Sequence, residues 1–378
     1  MLARLLGRNQ GPEFFYQAQW TPLQTVQIPK NVNLNRPLER LTIRWDGRIT
    51  IAGANMASVF PEALQSLIQQ IKFYGTHKRW GALTPIQLTG GDVFAWPILF
   101  RVRGCSIYIN GARVNPLGVP AGLPLATFGN TGTYDVTVFW DLQLTPVTPA
   151  AAKLNCVPFL YMQSDWGDTL NLQLIMGDSS SIGTLGGGGS LSFSAFGSNT
   201  GNPQFAVYTN YEILGKLADA LTTAVTVRAI QQVPQGNITA AASNLIKLAQ
   251  LQKYKTTNVV LKSGLLAQNT SPGVGVFSSL SDGIFEQTQI QVDNKPIRNN
   301  QSNSTSKEYI GYAFDTVEPQ GYLPFSFMDS LNPRTAFDGD RVSAGSTYEV
   351  DSQVISANAN NYAEIIQEYF QGAPAGGS

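Results

Sequence analysis

The feature that most constrains this chain is a strict two-residue alternation of apolar and polar side chains. Between Tyr134 and Leu144, residues Tyr134, Val136, Val138, Trp140, Leu142 and Leu144 fall on one face, and Asp135, Thr137, Phe139, Asp141 and Gln143 on the other. Successive side chains of an extended strand point to opposite sides, so this segment lays one apolar row on a core. Phe139 on the polar row implies partial cover on that side too.

The pattern recurs. Leu41, Ile43 and Trp45 alternate, and Ile49 and Ile51 resume the row after Asp46-Gly47, which reads as a hairpin or bulge because both residues tolerate positive φ. Leu170 to Met176, Leu191 to Ala195 and Phe205 to Ile213 follow the same rule. The first half offers about ten strands by these criteria. The second half offers strands near 226–233, 244–251, 255–261, 284–292, 309–315, 322–328, 347–355 and 361–370. Eight strands are what a jelly-roll sandwich needs. Helical spacing is sparse: a segment opening at Pro61 that ends as helix or strand by Tyr74, another over Tyr211–Val225, and a short one within 147–164. The fold expected is all-β, two tandem eight-stranded jelly-roll sandwiches with a few short flanking helices.

The expected organisation is an N-terminal arm at 1–14, a first sandwich at 15–213, a helical linker at 214–225, a second sandwich at 226–372 and a flexible tail at 373–378. Gly183 to Ser190 has a linker's composition, yet two strands follow it before the helical stretch, so it is placed as a loop inside the first sandwich. Asn299 to Ser306 is wholly polar and reads as a surface loop. Short repeats suggest duplication. Val26–Asn31 pairs with Gln232–Asn237, Leu41–Arg44 with Leu245–Leu248, and Phe205–Glu212 with Tyr362–Tyr369.

Charge is scarce and balanced: 25 Lys plus Arg against 25 Asp plus Glu. No strong polyanion-binding field follows, and no specific nucleic-acid contact is expected. Cys105 and Cys156 are flanked by apolar residues and read as buried thiols. No segment reaches the roughly 20 apolar residues of a membrane-spanning helix. Met1 to Arg8 is too short in its apolar part for a secretory signal and forms a short basic amphipath, suited to a membrane surface or a partner, or a frayed end.

Catalytic chemistry finds little to work with. His77, the single histidine, sits beside Lys78 and Arg79 with no local carboxylate to orient it, and reads as an exposed loop residue. Asp338-Gly-Asp340 and Glu349 to Asp351 read as turns or strand edges rather than calcium ligands. Asp165, Asp168, Glu364 and Glu368 are the carboxylates a glycosidase would need, but alternation explains them as solvent-facing positions. Gly183 to Gly189 lacks the lysine of a phosphate loop. Asn237-Ile-Thr239 and Asn269-Thr-Ser271 are glycosylation sequons, meaningful only on a secreted chain. No catalytic, cofactor-binding or metal-binding residue is expected, and the chain reads as a non-enzymatic structural protein.

The order of elements resembles the double jelly-roll major capsid proteins of tailless icosahedral viruses, the lineage joining tectivirus-type phages to adenovirus hexon. Pro29-Lys-Asn31 before the strands through Trp45 and Ile51, Leu67 to Tyr74, Tyr134 to Leu144 followed by Pro146, Thr169 to Met176, Gly321 to Phe327 and Tyr348 to Tyr369 carry the resemblance. It implies a capsid protein of the virion, made in the host cytoplasm, with homotrimers forming pseudo-hexagonal tiles of an icosahedral shell. The implied partners are neighbouring capsid trimers and penton or minor capsid proteins. Where that family encloses an inner membrane, the arm with Arg4 and Arg8 would suit anionic lipid. Gly183 to Gly189 matches no feature of the family. Two alternatives stand beside this reading. One is a viral spike or a receptor- or carbohydrate-binding sandwich, with exposed aromatics converging in a groove. The other is a polysaccharide hydrolase with two facing carboxylates.

Overall fold

Among the described residues, fourteen strands between Arg8 and Ile213 and ten between Val227 and Gln371 account for nearly all the regular structure. The computed structural model describes residues 8–9, 12–29, 38–78, 81–93, 105–114, 128–143, 166, 169–213, 227–237, 243–247, 254–270, 274–302, 305, 307–308, 320–326, 337–338, 348–354 and 360–371. Contacts divide these into two compact units, the first holding the described residues up to Ile213 and the second those from Val227.

The first unit contains β1 (Arg8–Asn9), β2 (Glu13–Gln19), β3 (Thr25–Gln27), β4 (Leu38–Ala52), β5 (Met56–Val59), β6 (Ile68–His77) and β7 (Gly81–Leu88). It continues with β8 (Cys105–Ile109), β9 (Ala112–Val114), β10 (Gly132–Gln143), β11 (Asn171–Met176), β12 (Gly183–Leu185), β13 (Ser190–Ser194) and β14 (Gln204–Ile213). Two antiparallel sheets form the sandwich. One runs β2-β14-β4-β10 and is extended by the β8-β9 hairpin; the other runs β3-β11-β6-β7.

The second unit contains β15 (Val227–Asn237), β16 (Ser243–Lys247), β17 (Tyr254–Thr270), β18 (Val274–Leu280), β19 (Phe285–Val292), β20 (Lys295–Ser302), β21 (Tyr322–Ser326), β22 (Phe337–Asp338), β23 (Tyr348–Val354) and β24 (Asn361–Gln371). One of its sheets runs β15-β24-β17-β21, the other β16-β23-β19-β20. When the eight principal strands of each unit are ranked in chain order, both units give sheets of order 1-8-3-6 and 2-7-4-5. That is jelly-roll connectivity, and the chain carries it twice.

This ranking corrects the repeats read from sequence. Val26 lies on the second strand of its roll, whereas Gln232 lies on the first strand of the other; Leu41 and Leu245 are offset in the same way. Only Phe205–Glu212 and Tyr362–Tyr369 fall on equivalent strands, the eighth of each roll. Every strand shares the same alternation, so short matches cannot fix which strand is which.

β4 is the spine of the first roll. β10 pairs with it from Arg40 to Ile51, while its other edge is shared by β14 and then β13. Leu41, Ile43, Trp45, Ile49 and Ile51 are at most 1% exposed and Gly47 is buried with them, while Thr42, Arg44, Asp46, Arg48 and Thr50 on the other face are half-buried. The break expected at Asp46-Gly47 does not occur. A Cβ on Gly47 would sit 2.5 Å from the Trp45 ring and 2.8 Å from Pro203. The missing side chain therefore gives Trp45 room to lie along the strand, which is a packing role and not a turn. Trp20 meets Trp45 edge-on at 5.8 Å, and its indole N–H donates to the Leu67 carbonyl at 3.0 Å, at the start of the facing sheet.

Other local expectations also shift. The segment from Pro61 resolves into turns, a 3-10 turn at Gln65–Leu67 and then β6, so its second half is strand. Asn299 to Ser302 belongs to β20 and is not loop. β18 escaped the sequence reading. Of the helical stretch expected over Tyr211–Val225, Tyr211–Ile213 belong to β14 and the rest, like the stretch at 147–164 and the strand at 309–315, lies outside the described residues.

The glycine-rich run is not a free linker. Gly183 to Leu185 pairs with β5, and a Cβ on Gly183 or Gly186 would meet the Ser58 or Asn55 carbonyl within 2.4 Å. Glycine is needed here because two backbones touch. The Asn55 side chain accepts from Thr131 N, and Met56 N donates to Gly129 O, so three loops are tied at one end of this roll.

Replacing Gly47 by valine should overpack the Trp45 site and cost about 1–3 kcal/mol, read as a lowered urea midpoint with unchanged slope.

Candidate functional site

The residues flagged for chemistry do not converge. His77 is buried rather than exposed: it ends β6 at 4% exposure, with its ring edge-on to Trp166 at 5.1 Å. The reason is that β6 runs through Gly75 and Thr76 into the sandwich instead of yielding to a loop. Asp165, Asp168, Asp340 and Cys156, and Arg4 of the arm, lie outside the described residues. Arg8 is placed in β1, opposite Ile213. Asp338 lies in β22, Glu349 to Asp351 on β23 between two neighbours, Asn237 on β15 and Asn269 on β17, so none of these is in a loop. Cys105 is a half-buried thiol whose pKa is pushed well up by burial and then by Asp141, which keeps it protonated and unreactive near neutrality. Among the described residues no cluster of His, Cys, Asp and Glu is arranged for a metal ion, and no helix is long and apolar enough to cross a membrane. An open hollow of about 500 Å³ lies beside Tyr74, Thr84, Thr169 and Asn171.

Glu364 and Glu368 share β24, opposite Lys262 and Asn258 of β17. Glu364 is not solvent-facing: it is 0% exposed, and its carboxylate lies 3.7 Å from the Lys262 ammonium, itself 1% exposed. Lys262 also sits 4.7 Å from the Phe277 ring centre and 5.6 Å from that of Tyr322. Glu364 is enclosed because β17 over 259–264 and β24 over 361–367 are buried on both faces. Val259, Leu261, Ala363 and Ile365 enter the core between the sheets. Val260, Lys262, Glu364 and Ile366 face the other way and are equally buried. The signal was a lysine directly after the run Val259-Val260-Leu261. A buried ion pair of this kind adds little net stability, and a slip of register would part its two charges inside the fold.

The corresponding outward face of the first roll carries a row that crosses five strands. Phe14 on β2 stacks edge-on with Tyr208 on β14 at 6.1 Å. Tyr208 interacts with Arg44 on β4, whose guanidinium lies 5.6 Å from the Phe139 ring centre on β10. Phe139 in turn meets Tyr108 on β8 at 6.0 Å. Charges flank the row in pairs: Arg44 with Asp46 at 2.7 Å, and Arg48 with Asp135 in a two-pronged contact at 2.8 and 3.0 Å. Asp135 also accepts from Gly197 N at 3.0 Å, and Arg48 donates to Asn199 at 2.9 Å, which fastens the turn carrying exposed Phe196. The sequence marked Phe139 but not its neighbours, because which residues align across strands depends on register.

Two outcomes follow from this geometry. Lys262→Met should cost about 3–5 kcal/mol by leaving a carboxylate buried without its cation, while Lys262→Met with Glu364→Leu should recover wild-type stability or exceed it, read by denaturant unfolding. The Arg48 contact, helped by Gly197 N, holds the Asp135 carboxyl below its ordinary value. Its contribution is therefore complete above about pH 4 and fades as pH falls through the lower folded value. The protection of the Gly197 amide relative to its intrinsic exchange rate should fall in that acid window, and should show no such fall in Asp135→Asn.

No family model and no curated protein sequence matches the chain. Solved structures do. The major capsid protein of Sulfolobus turreted icosahedral virus matches with TM-score 0.59 at 12% identity, over 96% of each chain. The major capsid protein P2 of bacteriophage PM2 matches with TM-score 0.54 at 10% identity, over 99% of this chain and 100% of its own. The capsid structure of the virus PBCV-1 matches with TM-score 0.55 at 12% identity, over 98% of each chain. Such likeness at such identity speaks to architecture, and the coverage extends it to both rolls. The chain has the double jelly-roll fold found in viral major capsid proteins.

Proposed function

We propose that this chain is the major capsid protein of an icosahedral virus, a structural and non-enzymatic component of the virion. The observation that carries the reading is the repetition of one jelly-roll connectivity in both halves, with structural neighbours named as major capsid proteins aligned over 96% or more of this chain. Two rolls per chain suit a homotrimer: three copies supply six similar sandwiches around one axis, and such pseudo-hexagonal tiles pack against neighbouring trimers. Penton or minor capsid proteins would meet the tiles at the shell's vertices and seams. Of the arm expected at 1–14, Arg8–Asn9 and Glu13–Phe14 pair with β14 directly or through β2. The stretch before β1 would face inward, toward lipid if the particle holds a membrane, and the junction between rolls would fall in 214–225. A balanced 25-to-25 charge removes long-range repulsion between copies.

The carbohydrate-binding alternative needs exposed aromatics gathered in a groove. The exposed aromatics among the described residues, Phe14 and Phe196, lie on strand β2 and on the turn after β13. The hollow beside Tyr74 is the feature that favours a sugar, and a glycan array would expose it.

Sedimentation and negative-stain microscopy of the purified chain should show three-chain particles that associate into plates or shells. A chain that stays single at every concentration and binds a glycan would overturn the reading.

A further inference from the structure

We infer that the outward face of the first roll's β2-β14-β4-β10-β8 sheet is the surface on which a second copy of this chain seats. The inference rests on the capsid reading and specifies which face does the assembling.

Its basis is a comparison of two equivalent faces. In each roll the third and eighth strands lie side by side at the centre of one sheet, β4 with β14 and β17 with β24. One side of each sheet enters its own core. In the second roll the other side is closed as well: Val260, Lys262, Glu364 and Ile366 are at most 1% exposed. In the first roll Ala206 and Asn210 of β14 are buried on the equivalent side, but the rest of that side is open. Arg44 keeps 40% of its side chain exposed, Tyr108, Tyr208 and Phe139 are half-buried, and Phe14 is 62% exposed. The same scaffold thus presents a covered face once and an uncovered one once. A protein built to meet copies of itself covers the second face by assembly.

The chemistry of the open face agrees. Phe14, Tyr208, Arg44, Phe139 and Tyr108 form a continuous row of the residue types that anchor protein interfaces. The row is held rigid by the sheet, so little side-chain freedom is lost on docking. The flanking charges are already matched within the face, Arg44 with Asp46 and Arg48 with Asp135. A face so neutralised suits a partner without net charge, and this chain has none. A nucleic acid or an anionic membrane would instead require a surplus of cations here.

The test uses the full chain. Phe14→Asp combined with Tyr108→Asp should weaken assembly at least about tenfold in sedimentation, with circular dichroism and melting temperature unchanged. Leu23→Asp, a comparably exposed apolar residue in the turn between β2 and β3, should leave assembly intact. Oxidative footprinting of the wild-type chain along a dilution series gives a reading independent of any variant: Tyr108 and Tyr208 should be protected in the oligomer and reactive in the single chain. Unchanged assembly of the double variant, or equal reactivity of the two tyrosines in both states, overturns the inference while leaving the capsid reading in place. A wild-type chain that never assembles sinks both.

Discussion

The pairing of the third and eighth strands at the centre of one sheet is the constraint on which both rolls depend. β4 and β17 are each engaged on both edges, and their neighbours arrive from distant parts of the chain. A central strand that mispaired by one residue would turn its whole core row to the other side. In the first roll the penalty is large because Trp45 has only one place to go, over residue 47, which lacks a side chain. In the second roll both faces are apolar and that safeguard is weaker. The Lys262–Glu364 pair restores it, since a slipped register would bury each charge alone. Two rolls with one topology therefore secure their centres by different means.

The same difference separates structure from function. Where the outer face is closed, its charged residues Lys262 and Glu364 meet each other inside the fold. Where it is open, Arg44, Arg48, Asp46 and Asp135 hold aromatics and a turn in fixed positions at the surface. Rigid, self-neutralised and partly apolar surfaces offer contact area at little cost in side-chain freedom. The loops tied by Asn55 and by the close backbone contacts of Gly183 and Gly186 show the same economy at one end of the first roll.

Much of the fold was legible. Tyr134 to Gln143 emerged as a strand with Val136, Val138 and Trp140 at 0% exposure, as its alternation required. The all-β class and jelly-roll architecture also followed from strand pattern. The misreadings share a cause. Asp46-Gly47 looked like a turn because local propensity for turns is strong, yet packing of Trp45 decided the matter. His77 and Glu364 looked exposed because their neighbours are polar or alternate, yet a strand continued in one case and a second face closed in the other. Two of the three internal repeats slipped by one strand because alternation marks a strand without identifying it.

By itself, then, the sequence determined which residues share a strand face, that the chain forms sandwiches, and that no familiar catalytic grouping sits within any short segment. Alternation is a local property, and a strand's two faces follow from backbone geometry alone. Only the tertiary structure decided which of those faces are buried twice, which charges meet across strands, and which aromatics line up into a continuous row. Those outcomes depend on residues far apart in the chain arriving in one register, and no local pattern encodes the arrival.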